Sequence, residues 1–336
     1  MKILIYSPFF YPSIGGLETV VSILAHEFVA QAHEVKLVSQ IPAKDDTAFP
    51  FEVIRRPDAG KLLQLMRWCD LFFQPSISLK GIWPLMLQPK PWVVSHNNWY
   101  RRDNDRLSWQ DYLKHFCIRF ATNISVSHAI AAHIAPPSTV IPNPYQDDLF
   151  KVCTDVPRDR DLVFLGRLVS AKGVDLLLHA LADLKTAGLT PNLTVIGQGP
   201  EESALEQLAN SLGIAPQVEF VGAKVGQDLV RLLNAHQIMV VPSRWQEPFG
   251  IVALEGIACG CVVVGSAGGG LKDAIGPCGV TFPNENIAYL TQVLAQLLSY
   301  PEQLKAYLEQ AKTHLCRHHP AIVAQAYLTV FEEALR

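Results

Sequence analysis

Two glutamates, Glu247 and Glu255, lie close together where a predicted strand runs into a predicted helix. The apolar, β-branched run at 237–241 predicts a buried strand, and a helical pattern begins near Gly250. In open α/β sheets, anionic ligands bind at the carboxyl ends of strands and at the amino ends of the helices that follow. The loop between this strand and this helix is therefore a candidate ligand site with a carboxylate on either side.

The spacing of the two carboxylates limits the chemistry. A helix rises about 7–8 Å from Gly250 to Glu255, so Glu247 and Glu255 are expected to serve different parts of one elongated ligand. A glycosidase needs its carboxyls roughly 5–10 Å apart across one bond, whereas here a helix amino terminus, which suits phosphate, lies between them. The pattern favours a ligand with hydroxyls at both ends and phosphate in the middle. The alternative is two glutamates that simply face water.

The run from Glu247 to Glu255, E-P-F-G-I-V-A-L-E, resembles the E-x7-E motif of the family-4 retaining glycosyltransferases. That family has the GT-B fold, in which two Rossmann-like, doubly wound α/β domains face a central cleft. The resemblance implies that Glu247 contacts hydroxyls of the donor sugar and that Glu255 binds the ribose hydroxyls of the donor nucleotide. It also implies that sugar and phosphate are approached by the backbone of Phe249, Gly250 and Ile251.

Two cations, Arg167 and Lys172, lie in another strand-to-helix loop, Gly166-Arg-Leu-Val-Ser-Ala-Lys-Gly173. Together with the amino end of the next helix, they could converge on one diphosphate. The alternative is a solvated pair of charges. The loop is similar to the family's G-R-L-x-x-x-K-G motif, which implies that both residues neutralise the leaving nucleotide diphosphate.

Glycine-containing turns follow other predicted strands. Gly15 and Gly16, after the first strand, would let backbone N–H groups approach an anion, although two glycines can also simply make a turn. The resemblance implies that this pair reaches the donor phosphates. It also implies that the turn containing Gly197 lies beneath the nucleotide and that Val225 lies near the base.

A chemically mixed loop begins at His96, directly after a predicted strand. A lone histidine is more often structural, but the resemblance implies that His96 contacts the donor sugar or its phosphate. The residues Asn97, Trp99, Tyr100 and Arg101 combine amide, aromatic and cationic groups, which bind carbohydrates and lipid headgroups. We expect them to form the acceptor surface, and a solvated loop is the alternative.

The length of 336 residues and a hydrophobic content of 49% predict two domains, each with a buried core. Apolar runs alternate with helical segments along the chain, and a charged linker follows residue 150. We expect an acceptor-side domain at 1–152 and a donor-binding domain at 153–319. The GT-B resemblance implies that a last helix, 320–336, packs back on the first domain.

Composition and short motifs also argue against several functions and locations. A net charge of −3 argues against nucleic-acid binding, and seven cysteines without a C-x-x-C pair indicate a reducing cytosol. The first apolar run is too short for a signal peptide or a membrane span. We therefore expect a cytoplasmic protein, with peripheral association at the inner face of the membrane left open. No convincing D-x-D metal motif occurs, so neither a metal nor another cofactor is expected.

The resemblance implies a retaining glycosyltransferase, and the lack of a convincing D-x-D motif predicts that it is metal-independent. The donor implied by the resemblance is a nucleoside diphosphate hexose, with UDP-glucose as the leading candidate, and the acceptor is a saccharide or a lipid-linked saccharide in polysaccharide or glycoconjugate synthesis. Two alternatives on the same fold stay open, a nucleotide-sugar epimerase and a sugar phosphorylase. A protein that binds sugar nucleotides without turnover is a third.

Overall fold

A computed structural model describes residues 1–13, 15–44, 47–100 and 108–336. The chain divides into unit 1, Met1–Pro144 with His318–Arg336, and unit 2, Tyr145–Arg317. The division thus falls at 144/145, where the sequence predicted 152/153. The connecting segment belongs to unit 2 because the Asn234 side chain accepts a hydrogen bond from the Cys153 N–H at 2.7 Å and donates one to the Lys151 carbonyl at 3.0 Å.

In the described part of unit 1, seven parallel strands form one sheet. They are β1 (Lys2–Tyr6), β2 (Glu34–Ser39), β3 (Glu52–Arg55), β4 (Leu71–Gln74), β5 (Trp92–His96), β6 (Thr122–Ser125) and β7 (Thr139–Val140). Their order is β3-β2-β1-β4-β5-β6-β7, so the direction of winding reverses between β1 and β4. Every residue of β4 and β5 is buried, as expected for strands covered on both faces.

Helices of unit 1 cover this sheet. They are α1 (Gly16–Ala30), α2 (Ala59–Trp68), α3 (Leu79–Leu87), α4 (Trp109–Cys117), α5 (His128–His133) and the chain's last helix, α13 (Pro320–Ala334). The Phe331 ring of α13 lies 5.4 Å from Phe28 on α1 and 5.1 Å from Phe73 on β4, measured between ring centres. The Tyr327 hydroxyl shares a 2.8 Å hydrogen bond with Ser95. The last helix is therefore part of the core of unit 1.

Unit 2 contains a second parallel sheet. Its strands are β8 (Arg160–Leu165), β9 (Leu193–Ile196), β10 (Val218–Phe220), β11 (His236–Val241), β12 (Val262–Ser266) and β13 (Gly279–Phe282). Its helices are α6 (Val174–Thr186), α7 (Glu202–Ser211), α8 (Gly226–Asn234), α9 (Ile251–Ala258), α10 (Leu271–Ile275), α11 (Ile287–Ser299) and α12 (Glu302–Cys316). The strand order is β10-β9-β8-β11-β12-β13, with the reversal between β8 and β11.

The fold class predicted from the sequence, two Rossmann-like doubly wound α/β domains, is confirmed. Strands β3 and β13 had no prediction because both are short and only partly buried, so neither gives a clear apolar run. Within the described ranges, no helix is both long enough and apolar enough to cross a membrane.

Candidate functional site

The candidate site of unit 2 lies where the strand order of its sheet reverses. Strands β8 and β11 are parallel neighbours, so the loops after them, 166–173 and 242–250, start at the same edge of the sheet. Open α/β sheets bind their ligands at this switch point. Lys172 comes from the first loop and Glu247 from the second, and Lys172 Nζ lies 2.6 Å from Glu247 Oε1. The fold thus joins the predicted phosphate-binding cation to the predicted sugar-binding carboxylate.

Glu247 is held from several directions. The Ser243 hydroxyl donates to the same oxygen, Glu247 Oε1, at 2.8 Å. The backbone carbonyl of Glu247 accepts the Gly270 N–H at 2.7 Å, in a bridge to the loop that follows β12. The side chain keeps 12% exposure. The carboxylate is therefore held in position, and its second oxygen is left for hydroxyl groups.

Arg244 contributes to the site in a way that the sequence did not reveal. Its guanidinium donates two hydrogen bonds to the Asp175 carboxylate, each 2.6 Å long, and a third to the Ser170 carbonyl at 3.1 Å. Burial alone would raise the pKa of Asp175, but the bonds and the charge of Arg244 outweigh it and hold that pKa below its usual value. Arg244 thereby ties the Glu247 loop to the loop and helix that follow β8, next to Lys172.

Gly197 is predicted to lie beneath the nucleotide, and the structure gives it a packing role. Its φ of +148° is one that L side chains rarely adopt, and a Cβ atom there would lie 1.8 Å from the Gly166 carbonyl oxygen. The Gly166 N–H in turn donates to the Ile196 carbonyl at 3.0 Å. Gly197 thus allows the turn after β9 to pack directly on the Arg167 loop. Its contact with a nucleotide stays a prediction.

Helix α9 carries the second predicted carboxylate. Gly250 caps the helix with a φ of +101°, and Ile251 is the first helical residue. The buried Phe249 side chain anchors the preceding loop in the core. Glu255 follows on the helix, partly buried, and burial raises the pKa of its carboxyl to about 7. Among the described residues, none forms a hydrogen bond with this carboxyl. Glu255 can therefore accept hydrogen bonds from a ligand as it ionises.

Two further predicted residues of unit 2 lie at the same edge of the sheet. Arg167 is exposed in the loop after β8, and no ion pair of its guanidinium occurs among the residues that the structure describes. Val225 is 71% exposed and caps α8, after β10. Both side chains are accessible to a ligand, and their contacts with diphosphate and base stay predictions.

In unit 1, Gly15 caps α1 and Gly16 is its first residue, directly after the loop that follows β1. Glu18 lies in the first turn of this helix, and the Ser13 hydroxyl donates to its carboxylate at 2.8 Å. A carboxylate thus lies at this helix amino terminus. The predicted contact of Gly15 and Gly16 with donor phosphates is not tested by this geometry.

His96 and Tyr100 are both buried in unit 1 and are hydrogen-bonded to each other. His96 has 0% exposure, its Nε2 is 2.9 Å from Asn123 Oδ1, and its Nδ1 is hydrogen-bonded to the Tyr100 hydroxyl. Burial lowers the pKa of His96 to about 4, and the Tyr100 side chain is also buried. In this structure the imidazole is a neutral part of the core. The predicted contacts of His96 with the donor and of Tyr100 with the acceptor stay predictions.

Two of the other residues predicted for the acceptor surface, Asn97 and Trp99, lie within the described part of unit 1. Asn97 is buried, and its amide donates to the Pro75 carbonyl at 2.7 Å and to the Ser95 hydroxyl at 3.0 Å. The Trp99 ring lies 5.0 Å from the His133 ring, between centres. Arg101 lies outside the described residues. The amide of Asn97 thus has a structural role, and the acceptor contacts of Asn97 and Trp99 stay predictions.

Two doubly wound sheets, with a lysine and a glutamate paired at the switch point of the second, define a protein of the GT-B class. The family model described as "Glycosyl transferases group 1" matches residues 146–314, half of the chain. The chain therefore belongs to the group 1 glycosyltransferases, as its resemblance to the family-4 enzymes predicted.

Curated relatives support the same assignment. The D-inositol 3-phosphate glycosyltransferase of Saccharomonospora viridis is 35% identical over 185 residues, which are 52% of this chain and 43% of that protein. The enzyme of the same name from Salinispora arenicola is 36% identical over 185 residues, covering 52% and 41%. The matched part of the chain thus spans less than half the length of these relatives.

Solved structures show the same fold over the whole chain. Anabaena Alr3699/HepE in complex with UDP and glucose superposes with a TM-score of 0.82 at 20% identity, covering 99% of this chain and 100% of that one. Sucrose-phosphate synthase from Thermosynechococcus elongatus gives a TM-score of 0.83 at 20% identity, covering 99% and 98%.

Proposed function

We propose that this glycosyltransferase is a retaining hexosyltransferase that uses a nucleoside diphosphate sugar, with UDP-glucose as the leading candidate. Its acceptor would be a saccharide or a lipid-linked saccharide in polysaccharide or glycoconjugate synthesis. The observation that carries the proposal is the pairing of Lys172 with Glu247 at the switch point of unit 2. The choice of donor is supported by the solved complexes of Anabaena Alr3699/HepE with UDP and glucose and with UDP-glucose.

The paired charges suit the junction between a sugar and a phosphate. When the bond from the anomeric carbon to the phosphate oxygen breaks, the sugar becomes positive and the diphosphate gains negative charge. Lys172, the exposed Arg167 and the amino end of α9 would stabilise the diphosphate. Glu247 would accept hydrogen bonds from sugar hydroxyls and favour the positive anomeric centre. The proposal is metal-independent in that these cations supply the charge that Mg²⁺ supplies elsewhere.

The proposed retention is the outcome that the resemblance to the family-4 enzymes implies. The Oε1 atom of Glu247 already accepts hydrogen bonds from Lys172 and Ser243, so this oxygen is occupied and is not open to a proton from the acceptor. In the proposed reaction, the acceptor hydroxyl attacks from the side of the leaving group. The bond between the anomeric carbon and the phosphate oxygen breaks, a new bond to the acceptor oxygen forms, and the acceptor proton passes to the leaving phosphate.

The test is the variant Glu247→Gln, assayed with UDP-glucose against a panel of saccharide and lipid-linked acceptors. Because the carboxylate should act more strongly in the transition state than in the ground state, transfer should fall by about 10²-fold or more, while UDP affinity should change by less than about threefold. NMR coupling constants of the new linkage should show the donor's anomeric configuration in the product.

A matched control is Glu219→Gln, which removes a glutamate that pairs with Arg160 at 2.7 Å on the exposed surface of unit 2. This variant should transfer sugar at the wild-type rate. An inverted product, or a Glu247→Gln variant as active as the control, would contradict the proposal. Isomerised sugar nucleotide or sugar phosphate as the product would identify an epimerase or a phosphorylase instead.

A further inference from the structure

Helix α4 exposes its large apolar residues, and the one residue that it buries is Asp111. Five large hydrophobic side chains, each between 39% and 73% exposed, lie on α4 and on the short turn that follows it. We call them the aromatic stripe: Trp109, Tyr112, Leu113, Phe116 and Phe120. The inward-facing Asp111, in contrast, is buried. This is the reverse of the pattern of a surface helix that packs its apolar face on the core.

The stripe is continuous along the helix. Its first four members have the spacing i, i+3, i+4 and i+7, and at 100° per residue all five fall within an arc of roughly 100°. From Trp109 to Phe120 the stripe extends about 16 Å. With ordinary aromatic side-chain areas, it exposes roughly 600 Å², at the upper end of the largest apolar patches on monomeric proteins.

The opposite face of α4 fixes this orientation. The Ser108 hydroxyl and backbone N–H both donate to the Asp111 carboxylate, at 2.6 and 2.9 Å, and Lys114 Nζ donates to it at 3.3 Å. Ile118 is fully buried in the core of unit 1. The His115 ring lies 5.7 Å from the Tyr100 ring, between centres. The Asp111 bonds lie within the helix and its cap, but turning the stripe inward would expose Ile118 and break the contact of His115 with Tyr100, so packing in unit 1 holds the stripe outward.

We propose that the aromatic stripe lies on an anionic membrane surface. Trp, Tyr, Phe and Leu on one face of a helix are typical of segments that lie in the bilayer interface. The one carboxylate of residues 108–120, Asp111, is turned inward, while Arg119 is exposed beside the stripe and attracts anionic headgroups. A stable interface between two copies needs about 800 Å² per partner, more than the stripe supplies. The proposal is independent of the reaction assigned to unit 2.

The test is binding of the full chain to vesicles, measured by flotation with phosphatidylglycerol–phosphatidylcholine mixtures and with phosphatidylcholine alone. The wild type should bind the anionic vesicles. Replacing Trp109, Phe116 and Phe120 together by Ser should lower the partition coefficient about a hundredfold or more, because burial of three aromatic rings is lost. Arg119→Gln should lower it about fivefold on anionic vesicles and leave binding to neutral ones unchanged.

Two controls accompany these variants. Tyr289→Ser with Tyr300→Ser removes two exposed aromatic side chains from unit 2 and should leave vesicle binding unchanged. UDP affinity, measured by calorimetry, and thermal unfolding should match the wild type in every variant, which separates a failed membrane proposal from a failed donor assignment. Trp109→Phe should remove the blue shift of tryptophan emission that vesicles cause.

Three results would overturn the proposal. The first is a wild-type chain that binds neither kind of vesicle. The second is a triple Ser variant that binds anionic vesicles as well as the wild type does. The third is a dimer, detected by light scattering, that the triple variant dissociates while vesicle binding is absent, which would make the stripe an interface between two copies.

Discussion

The raised pKa of Glu255 predicts a coupling between pH, stability and nucleotide binding. Burial raises this pKa from 4.5 to about 7, so the folded protein keeps the proton over a range in which the unfolded chain releases it. The folded state therefore loses stability as pH rises from 4.5 through 7, and none of this loss is present below pH 4.5. At about 1.4 kcal/mol per pKa unit the loss reaches about 3 kcal/mol, and partial exposure of the carboxyl reduces it toward about 2 kcal/mol.

Glu255→Gln removes this titration while keeping the shape of the side chain. The amide adds its own constant free-energy change, so the informative quantity is how the difference between variant and wild type changes with pH. Between pH 4.5 and 8, the variant should gain about 2–3 kcal/mol of unfolding free energy relative to wild type. Hydrogen exchange of peptides from unit 2, followed by mass spectrometry, measures this quantity without interference from unit 1.

The same variant should reveal the ligand side of the coupling. If the Glu255 carboxylate accepts hydrogen bonds from ribose hydroxyls, wild-type affinity for UDP should fall up to tenfold per pH unit below 7, because protonation removes the charged acceptor. At pH 8, Glu255→Gln should bind UDP about 1–3 kcal/mol more weakly than the wild type. The variant also serves as the control for ionisation of UDP itself, since both proteins are titrated with the same ligand.

Two outcomes would refute this reasoning. If wild type and Glu255→Gln show parallel dependence of UDP affinity on pH, Glu255 does not bind the ribose. If their difference in unfolding free energy is constant from pH 4.5 to 8, burial does not raise the pKa of the Glu255 carboxyl.

Two other predictions concern the cations of unit 2 and the buried histidine of unit 1. Arg167→Ala and Lys172→Ala should each lower turnover by about 10²-fold or more and weaken donor binding less, because both side chains act on charge that grows in the transition state. Near-wild-type turnover of both variants in steady-state assays would show that these residues do not act in the reaction. Because burial lowers the pKa of His96 from 6.5 to about 4, its contribution to stability is complete above pH 6.5 and is lost as pH falls toward 4. Hydrogen exchange should show unit 1 losing on the order of 3 kcal/mol over that range, and less in His96→Asn; equal loss in both proteins would contradict the shift.

Local sequence patterns determined most of the fold. Buried strands such as β5 and β11 are short apolar runs bounded by turn residues, and they alternate with helical segments, which is enough to predict parallel α/β sheets. The ligand loops were predictable for the same reason, because each motif lies directly after a strand. Local context marked the Lys172 loop and the Glu247 loop as two separate candidates, and the resemblance to the family-4 enzymes assigned both to one donor; the structure pairs the two side chains.

Contacts between distant parts of the chain decided the rest. Arg244 and Asp175 are 69 residues apart in sequence, and no local pattern marks them as partners. His96 is the last residue of β5, and its hydrogen bonds with Asn123 of the neighbouring strand and with Tyr100 hold it in the core, which no local pattern predicts. The apolar spacing of α4 looks like that of an ordinary buried face. Which face of a helix is buried depends on what packs against it, and that is settled only when the chain folds.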